Sequence, residues 1–117
     1  MSNKKQLILA KCYDRKNRLL SVAYNSYRCS HPVQAYFAKK AGMPERIYLH
    51  AEICAILRAK GKKIHKITVE RYSKDGSPLL AAPCPICTEA ILAFGVKEVE
   101  FTVEGSYDRQ RFTVERT

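Results

Sequence analysis

Two short apolar runs open the chain, at 6–13 and 18–24, and a polar stretch at 14–17 separates them. Each run is long enough for one strand. The separating residues, Asp14, Arg15, Lys16 and Asn17, are of the types that favour a turn. This pattern predicts a β-hairpin at the start of the domain.

The next segment changes from strand-like to helix-like spacing. Pro32 suits the first turn of a helix, and Gly42 suits its end. Between them the apolar positions follow a helical repeat, at Val33, Tyr36, Phe37 and Ala41. We expect a helix here with these side chains on its buried side.

A second helix is predicted to begin near His50 and to end at Gly61. Its buried stripe consists of Ile53, Ile56 and Leu57. Alternation of apolar and polar residues then predicts a strand around Ile67 and Val69 that ends near Tyr72. Asp75 and Gly76 form a turn signal, so 77–81 is expected to double back as an extra short strand.

The last third contains one more helix and two strands. A helix is predicted from Pro85 to Phe94, closed by Gly95. Val99, Phe101 and Val103 alternate with polar residues in a strand, and Phe112 with Val114 marks an antiparallel closing strand. The order β-β-α-α-β-α-β-β predicts an α/β domain with a mixed sheet. At 117 residues we expect one domain, 1–117.

The composition indicates in which cellular compartment this domain is expected. No run approaches the roughly 18 apolar residues that span a bilayer, and the N-terminus has no apolar stretch typical of a secretory signal. We therefore expect a cytoplasmic protein without a membrane partner. Two of its five cysteines are assigned to a metal below, and the remaining three (Cys12, Cys29 and Cys54) are expected to be small buried side chains.

The net charge indicates what kind of partner the protein binds. The formal net charge is +10, from 21 Lys and Arg against 11 Asp and Glu. Such an excess favours a phosphate-bearing partner, either a nucleotide or a nucleic acid, although basic residues also keep small proteins soluble.

The most informative feature is a set of metal-ligating residues. His50 is followed by the pair Cys84 and Cys87, which together supply one imidazole and two thiolates, the donors that suit zinc. A structural zinc normally has a fourth protein ligand, whereas a catalytic zinc leaves that position to water. Glu52, two residues after the histidine, is a natural proton carrier for such a water.

These residues form the pattern H-x-E followed by P-C-x-x-C, which resembles the cytidine and deoxycytidylate deaminase superfamily. The resemblance implies a three-layer cytidine-deaminase-like fold, with a mixed five-stranded sheet and helices on both faces. It implies zinc at His50, Cys84 and Cys87, with Glu52 as the catalytic acid and base. It further implies that the backbone N–H of Ala51 binds the base carbonyl, that the carbonyl of Ala82 contacts the departing amine, and that Asn25 binds the sugar.

The resemblance leaves the substrate open. The short length and the long 73–82 connection are most similar to small deoxycytidylate deaminase-like proteins of bacteriophages. We therefore expect deamination of a cytosine (deoxy)nucleotide, with dCMP as the leading case. The alternatives are a deaminase of cytosine or adenine in single-stranded DNA or tRNA, whose bases could stack on Tyr24, Tyr27 or Tyr107, and a zinc-stabilised nucleic-acid-binding module without turnover. A homo-oligomer is expected, because members of this superfamily are commonly oligomeric.

Overall fold

The elements occur in the predicted order in the computed structural model, which describes residues 8–26, 28–73, 76–103 and, as backbone only, 106–113. Within these residues they are β1 (Ile8–Tyr13), β2 (Leu19–Tyr24), α1 (Pro32–Lys40), α2 (Ala51–Arg58), β3 (Lys66–Arg71), α3 (Pro85–Ala93), β4 (Glu98–Val103) and β5 (Ser106–Thr113). None of the described helices has the length and apolar character needed to cross a membrane.

The predicted hairpin is confirmed, and its turn is held by a single carboxylate. Asp14 accepts hydrogen bonds from the backbone N–H groups of Lys16 and Arg18, both at 2.9 Å, and from Nε of Arg18 at 2.8 Å. Asn17 adopts a left-handed backbone with φ of 64°, which asparagine tolerates better than most residues. The polar residues of the turn therefore set the register of β1 and β2.

The sheet is mixed, as the element order predicts. Its strand order is β2-β1-β3-β4-β5. β1 lies antiparallel to both β2 and β3, β3 and β4 are parallel, and β5 returns antiparallel to β4. The α/β class with a mixed sheet is thus confirmed, whereas Val114, assigned by sequence to the closing strand, lies outside the described residues.

One face of the sheet packs against α2. Strand register places Ala10, Ile67, Val69 and Val99 on this face, and all four are buried. The Ser21 hydroxyl on the same face donates to the carbonyl of Ala55 in α2 at 2.7 Å. The core therefore lies between this helix and the sheet, as the apolar stripe of α2 predicts.

The other face of the sheet carries ion pairs. Lys11 approaches Glu70 at 4.0 Å, and Lys66 approaches Glu100 at 3.6 Å. The ammonium of Lys66 also lies 4.9 Å from the ring centroid of Tyr13, within cation–π range. A layer of helices on this second face stays a prediction.

The residues on the buried side of α1 are partly different from those predicted. Phe37 is buried and faces Phe94 at the end of α3, with ring centroids 6.2 Å apart. Tyr36 is instead 60% exposed, and its ring packs edge-on against Phe37. Gln34, polar by sequence, is fully buried. It can be buried because both ends of its amide are hydrogen-bonded, as described below.

The chain doubles back at 77–81 as predicted, but the prediction that this segment is an extra short strand is wrong. The segment makes an isolated bridge, Tyr72 to Pro78, and no ladder with its neighbours within the described residues. Pro78 has no N–H with which to extend a ladder. Single hydrogen bonds hold the segment instead, from Leu79 N to Arg71 O and from Ala81 N to Thr102 O. This path leads the chain directly to the start of α3.

The cysteines outside the metal motif differ in their environment. Cys12 is fully buried in the core, and Cys54 is partly buried against it. Cys29 is exposed, so its predicted burial is wrong. It lies in the irregular segment between β2 and α1, where its backbone carbonyl accepts from Leu49 N.

Candidate metal centre and its cavity

The N-termini of two helices lie close together, and a metal-ligating residue caps each of them. His50 is the N-cap of α2, and Cys84 is the N-cap of α3. Pro85 occupies the first helical position, where its missing N–H costs no hydrogen bond. Cys87, three residues after Cys84, lies on the same face of α3 and is buried. Both helices begin where the sequence predicts, and the structure brings their N-termini together.

The ligand atoms have the spacing that a zinc ion requires. Nδ1 of His50 lies 3.3 Å from Sγ of Cys87 and 3.4 Å from Sγ of Cys84. All three ligand atoms lie within 4.8 Å of one another. In a tetrahedral zinc site with Zn–S near 2.3 Å and Zn–N near 2.0 Å, nitrogen and sulfur are about 3.5 Å apart. The cluster is therefore able to hold a metal ion, and its donors fit zinc.

Buried polar contacts fix the histidine in place. The backbone N–H of His50 donates to Oε1 of Gln34 at 3.1 Å, and Nε2 of Gln34 donates to the carbonyl of Arg46 at 3.1 Å. The carbonyl of His50 accepts from Cys54 N in the first turn of α2. One side chain of α1 thus connects the loop before α2 with the first metal ligand.

The two thiols differ in their affinity for protons. A hydrogen bond from Cys87 lowers the pKa of Cys84 to about 4, with His50 adding to the effect. The neighbouring Cys84 thiolate and then burial raise the pKa of Cys87 well above its usual value. The Cys84 thiolate also raises the pKa of His50. In the absence of an ion, the cluster therefore holds protons that metal binding must displace.

Glu52 lies beside this cluster at the beginning of α2. Its side chain is 6% exposed. Burial raises the pKa of the Glu52 carboxyl, and the negative charge of the Cys84 thiolate raises it further. A raised pKa favours the protonated carboxyl, so that Glu52 can return a proton after accepting one, as a proton-transfer group must.

A cavity of about 440 Å³ opens over the ligands, within the size range of small-molecule sites. The residues that the sequence assigned to the site are brought together here. Those that line the cavity are Asn25, His50, Ala51, Glu52, Ala82 and Cys84. Cys87 is fully buried and is not among the lining residues. The catalytic and substrate-binding roles of these residues stay predictions.

Asn25 has a structural contact as well as a place in the cavity. Its Oδ1 accepts from the backbone N–H of Ile8 at 2.8 Å, and its own N–H donates to the carbonyl of Ile8 at 3.1 Å. The residue therefore joins the end of β2 to the beginning of β1. This contact fixes the side chain at the rim of the cavity.

Sequence reasoning missed the charged and aromatic part of the wall. Arg46 and Tyr48, from the irregular segment before α2, line the cavity together with Arg71 at the end of β3. Arg71 Nη1 donates to the carbonyl of Leu80 at 3.0 Å. Its Nε is buried and has no hydrogen-bond partner among the described residues. The apolar residues of the irregular segment follow no helical or strand repeat. The sequence therefore could not indicate that Arg46 lies at the site.

The chain matches one family model, described as the cytidine and deoxycytidylate deaminase zinc-binding region, over residues 3–103. The match includes both helices that carry the ligands and every strand that borders the cavity. No curated protein sequence matches the chain.

Proposed function

The chain belongs to the cytidine and deoxycytidylate deaminase zinc-binding family, and on that premise we propose that it deaminates a cytosine (deoxy)nucleotide. The leading case is hydrolysis of dCMP to dUMP and ammonia. One observation carries this proposal: a single cavity is lined by two of the three metal ligands, a buried carboxyl group and two arginines.

Zinc, when bound by His50, Cys84 and Cys87, would supply Lewis acidity that makes water a nucleophile at neutral pH. Glu52 would accept a proton from the water that adds to C4 of the base and deliver it to the ring nitrogen. It would then accept the second proton from the added hydroxyl and deliver it to the departing amine, which leaves as ammonia. Its burial beside the cluster supports this role, because a raised pKa favours the return of the proton.

Backbone groups would orient the base. Ala51 is the first residue of α2, and N–H groups in the first turn of a helix have no intrahelical partner. The Ala51 N–H is thus suited to donate to the base carbonyl. The carbonyl of Ala82 would accept from the departing amine, and Asn25 would contact the sugar. These roles follow from the family resemblance, and all three residues line the cavity.

Two arginines support a nucleotide over a free nucleoside. Arg46 and Arg71 line the same cavity as His50, and the charge of Arg46 acts on the imidazole, where it favours the neutral form. Planar guanidinium groups are well suited to bind phosphate oxygens. The Nε of Arg71 is buried without a partner among the described residues, and a phosphate would give it one.

Ammonia release from dCMP, CMP, deoxycytidine, guanine and a cytosine-containing oligonucleotide tests the proposal. We expect turnover of dCMP to exceed that of deoxycytidine. Arg46→Gln and Arg71→Gln should each raise KM for dCMP roughly 10- to 100-fold, as expected for loss of a charged hydrogen bond, and should leave deoxycytidine turnover little changed. Lys39→Gln, on the exposed side of α1, is the matched control. Reaction of the oligonucleotide alone would contradict a nucleotide substrate.

A further inference from the structure

A second cavity, of about 500 Å³, opens at the opposite end of the sheet. Its walls are the β1–β2 turn, the segment before β3 and the segment before β4. The metal cavity instead borders the start of β1, at Ile8, and the end of β3, at Arg71. Strands of six residues extend about 20 Å, so the two cavities face opposite sides of the molecule.

The walls of this second cavity are strongly basic. Five Lys or Arg side chains line it: Arg15, Lys16, Arg18, Lys63 and Lys97. The carboxylate that lines it, Asp14, is already hydrogen-bonded to Arg18 Nε and to two N–H groups of the hairpin turn. His65 at the wall pairs with Glu98 at 3.4 Å. An uncompensated positive charge remains, and it favours an anionic ligand.

The basic surface continues beyond this cavity. A third cavity, of about 540 Å³, shares Asp14, Arg18 and Lys63 with it and adds Lys62. The two cavities adjoin and together form a basic groove, defined by Arg15, Lys16, Arg18, Lys62, Lys63 and Lys97. All six of these side chains are exposed. Such a set of exposed cations differs from a small-ligand pocket, which fixes a few polar groups within an apolar enclosure.

We infer that the basic groove binds the phosphodiester backbone of a nucleic acid without regard to base sequence. Exposed Lys and Arg side chains in a row contact successive phosphates and displace condensed counterions. Among the described lining residues of both cavities there is no Phe, Tyr or Trp on which a base could stack, and the imidazole of His65 is paired with Glu98. Affinity would therefore come from phosphate contacts, and the metal cavity would stay accessible to its own substrate.

Fluorescence anisotropy with labelled single-stranded 20-mers of two unrelated sequences tests this inference on the full chain with zinc. Both sequences should bind alike, and the logarithm of the association constant should fall linearly with the logarithm of salt concentration. Arg15→Gln/Lys63→Gln should weaken binding at least about 10-fold and reduce the slope by about 1.4, the value expected for two lost contacts to a single strand. Lys39→Gln/Lys40→Gln removes the same charge from exposed positions of α1 and should change both quantities much less.

Three outcomes would overturn the inference: equal weakening by both double variants, displacement of the oligonucleotide by dCMP, or binding of tripolyphosphate but of neither oligonucleotide. Thermal unfolding of each variant verifies that it is folded. The measurement does not require turnover, and Glu52→Gln protein should bind the oligonucleotide as the wild type does. Failure of the groove and failure of the deaminase proposal are therefore distinguishable.

Discussion

The chemistry of the site depends on neighbouring groups more than on any residue alone. Cys84 and Cys87 are chemically identical side chains three positions apart, yet the pKa of the first is lowered and that of the second is raised. The difference arises because Cys87 is buried and donates to its neighbour, whereas Cys84 receives that hydrogen bond. The sequence identified both as ligands but could not indicate which one carries the proton.

Replacement of Glu52 is expected to separate catalysis from metal binding. Glu52→Gln preserves the size of the side chain but removes its ability to exchange protons, so we expect ammonia release to fall at least about 100-fold. Zinc content should stay at one ion per chain, because the cluster of three ligands does not include Glu52. Glu89→Gln on α3 is the control. Retained activity of the Glu52→Gln protein would remove this carboxyl from the mechanism.

Zinc binding should release protons and strengthen as pH rises. The pKa of Cys87 is raised well above its usual value, so its thiol carries a proton near neutral pH that the ion must displace. The raised pKa of His50 favours the protonated imidazole, which must also lose a proton to bind the ion. Cys84, with a pKa of about 4, contributes none above roughly pH 5. We expect about one to two protons per zinc at pH 7, measured by calorimetry in buffers of different ionisation enthalpy. An affinity that stays constant from pH 6 to 8 would contradict this assignment.

At the scale of elements, the sequence predicted where helices begin and end better than it predicted which of their sides are buried. Proline at the first positions of α1 and α3, and the glycines after the helices, gave boundaries that agree with the structure. The buried side of α1 was less predictable from the sequence. Tyr36 has the right period for burial but lies outside, whereas Gln34 is buried because its partners come from a loop distant in sequence. No window of sequence within α1 contains that information.

Gln34 should contribute measurably to stability despite being polar. Gln34→Ala leaves the backbone N–H of His50 without its acceptor, so the free energy of unfolding should fall by about 1–3 kcal/mol. Urea denaturation with saturating zinc measures the change. Lys39→Ala, on the exposed side of the same helix, should stay within about 0.5 kcal/mol of the wild type. Equal stability of both variants would show that water replaces the lost amide.

At the scale of the whole molecule, the sequence predicted the metal ligands far better than the shape of their surroundings. A short motif specifies His50, Cys84 and Cys87, because a metal ion demands particular atoms at fixed distances. The cavity wall, in contrast, includes Arg46 and Arg71, which are 25 positions apart and adjoin only after the loop and the sheet have formed. That these two arginines line the same cavity therefore became visible only in three dimensions.

The positions of His50 and Cys84 at the first residues of α2 and α3 have a consequence for folding. Among the described residues, neither helix start receives a hydrogen bond from the side chain of its own N-cap, since the imidazole and the thiolate face each other. A divalent cation bound there would fasten together two segments separated by 34 positions. An ion that binds the native chain but not the unfolded chain shifts the folding equilibrium toward the native state. Cellular zinc supply would then govern how much of this polypeptide survives, as well as how fast it works.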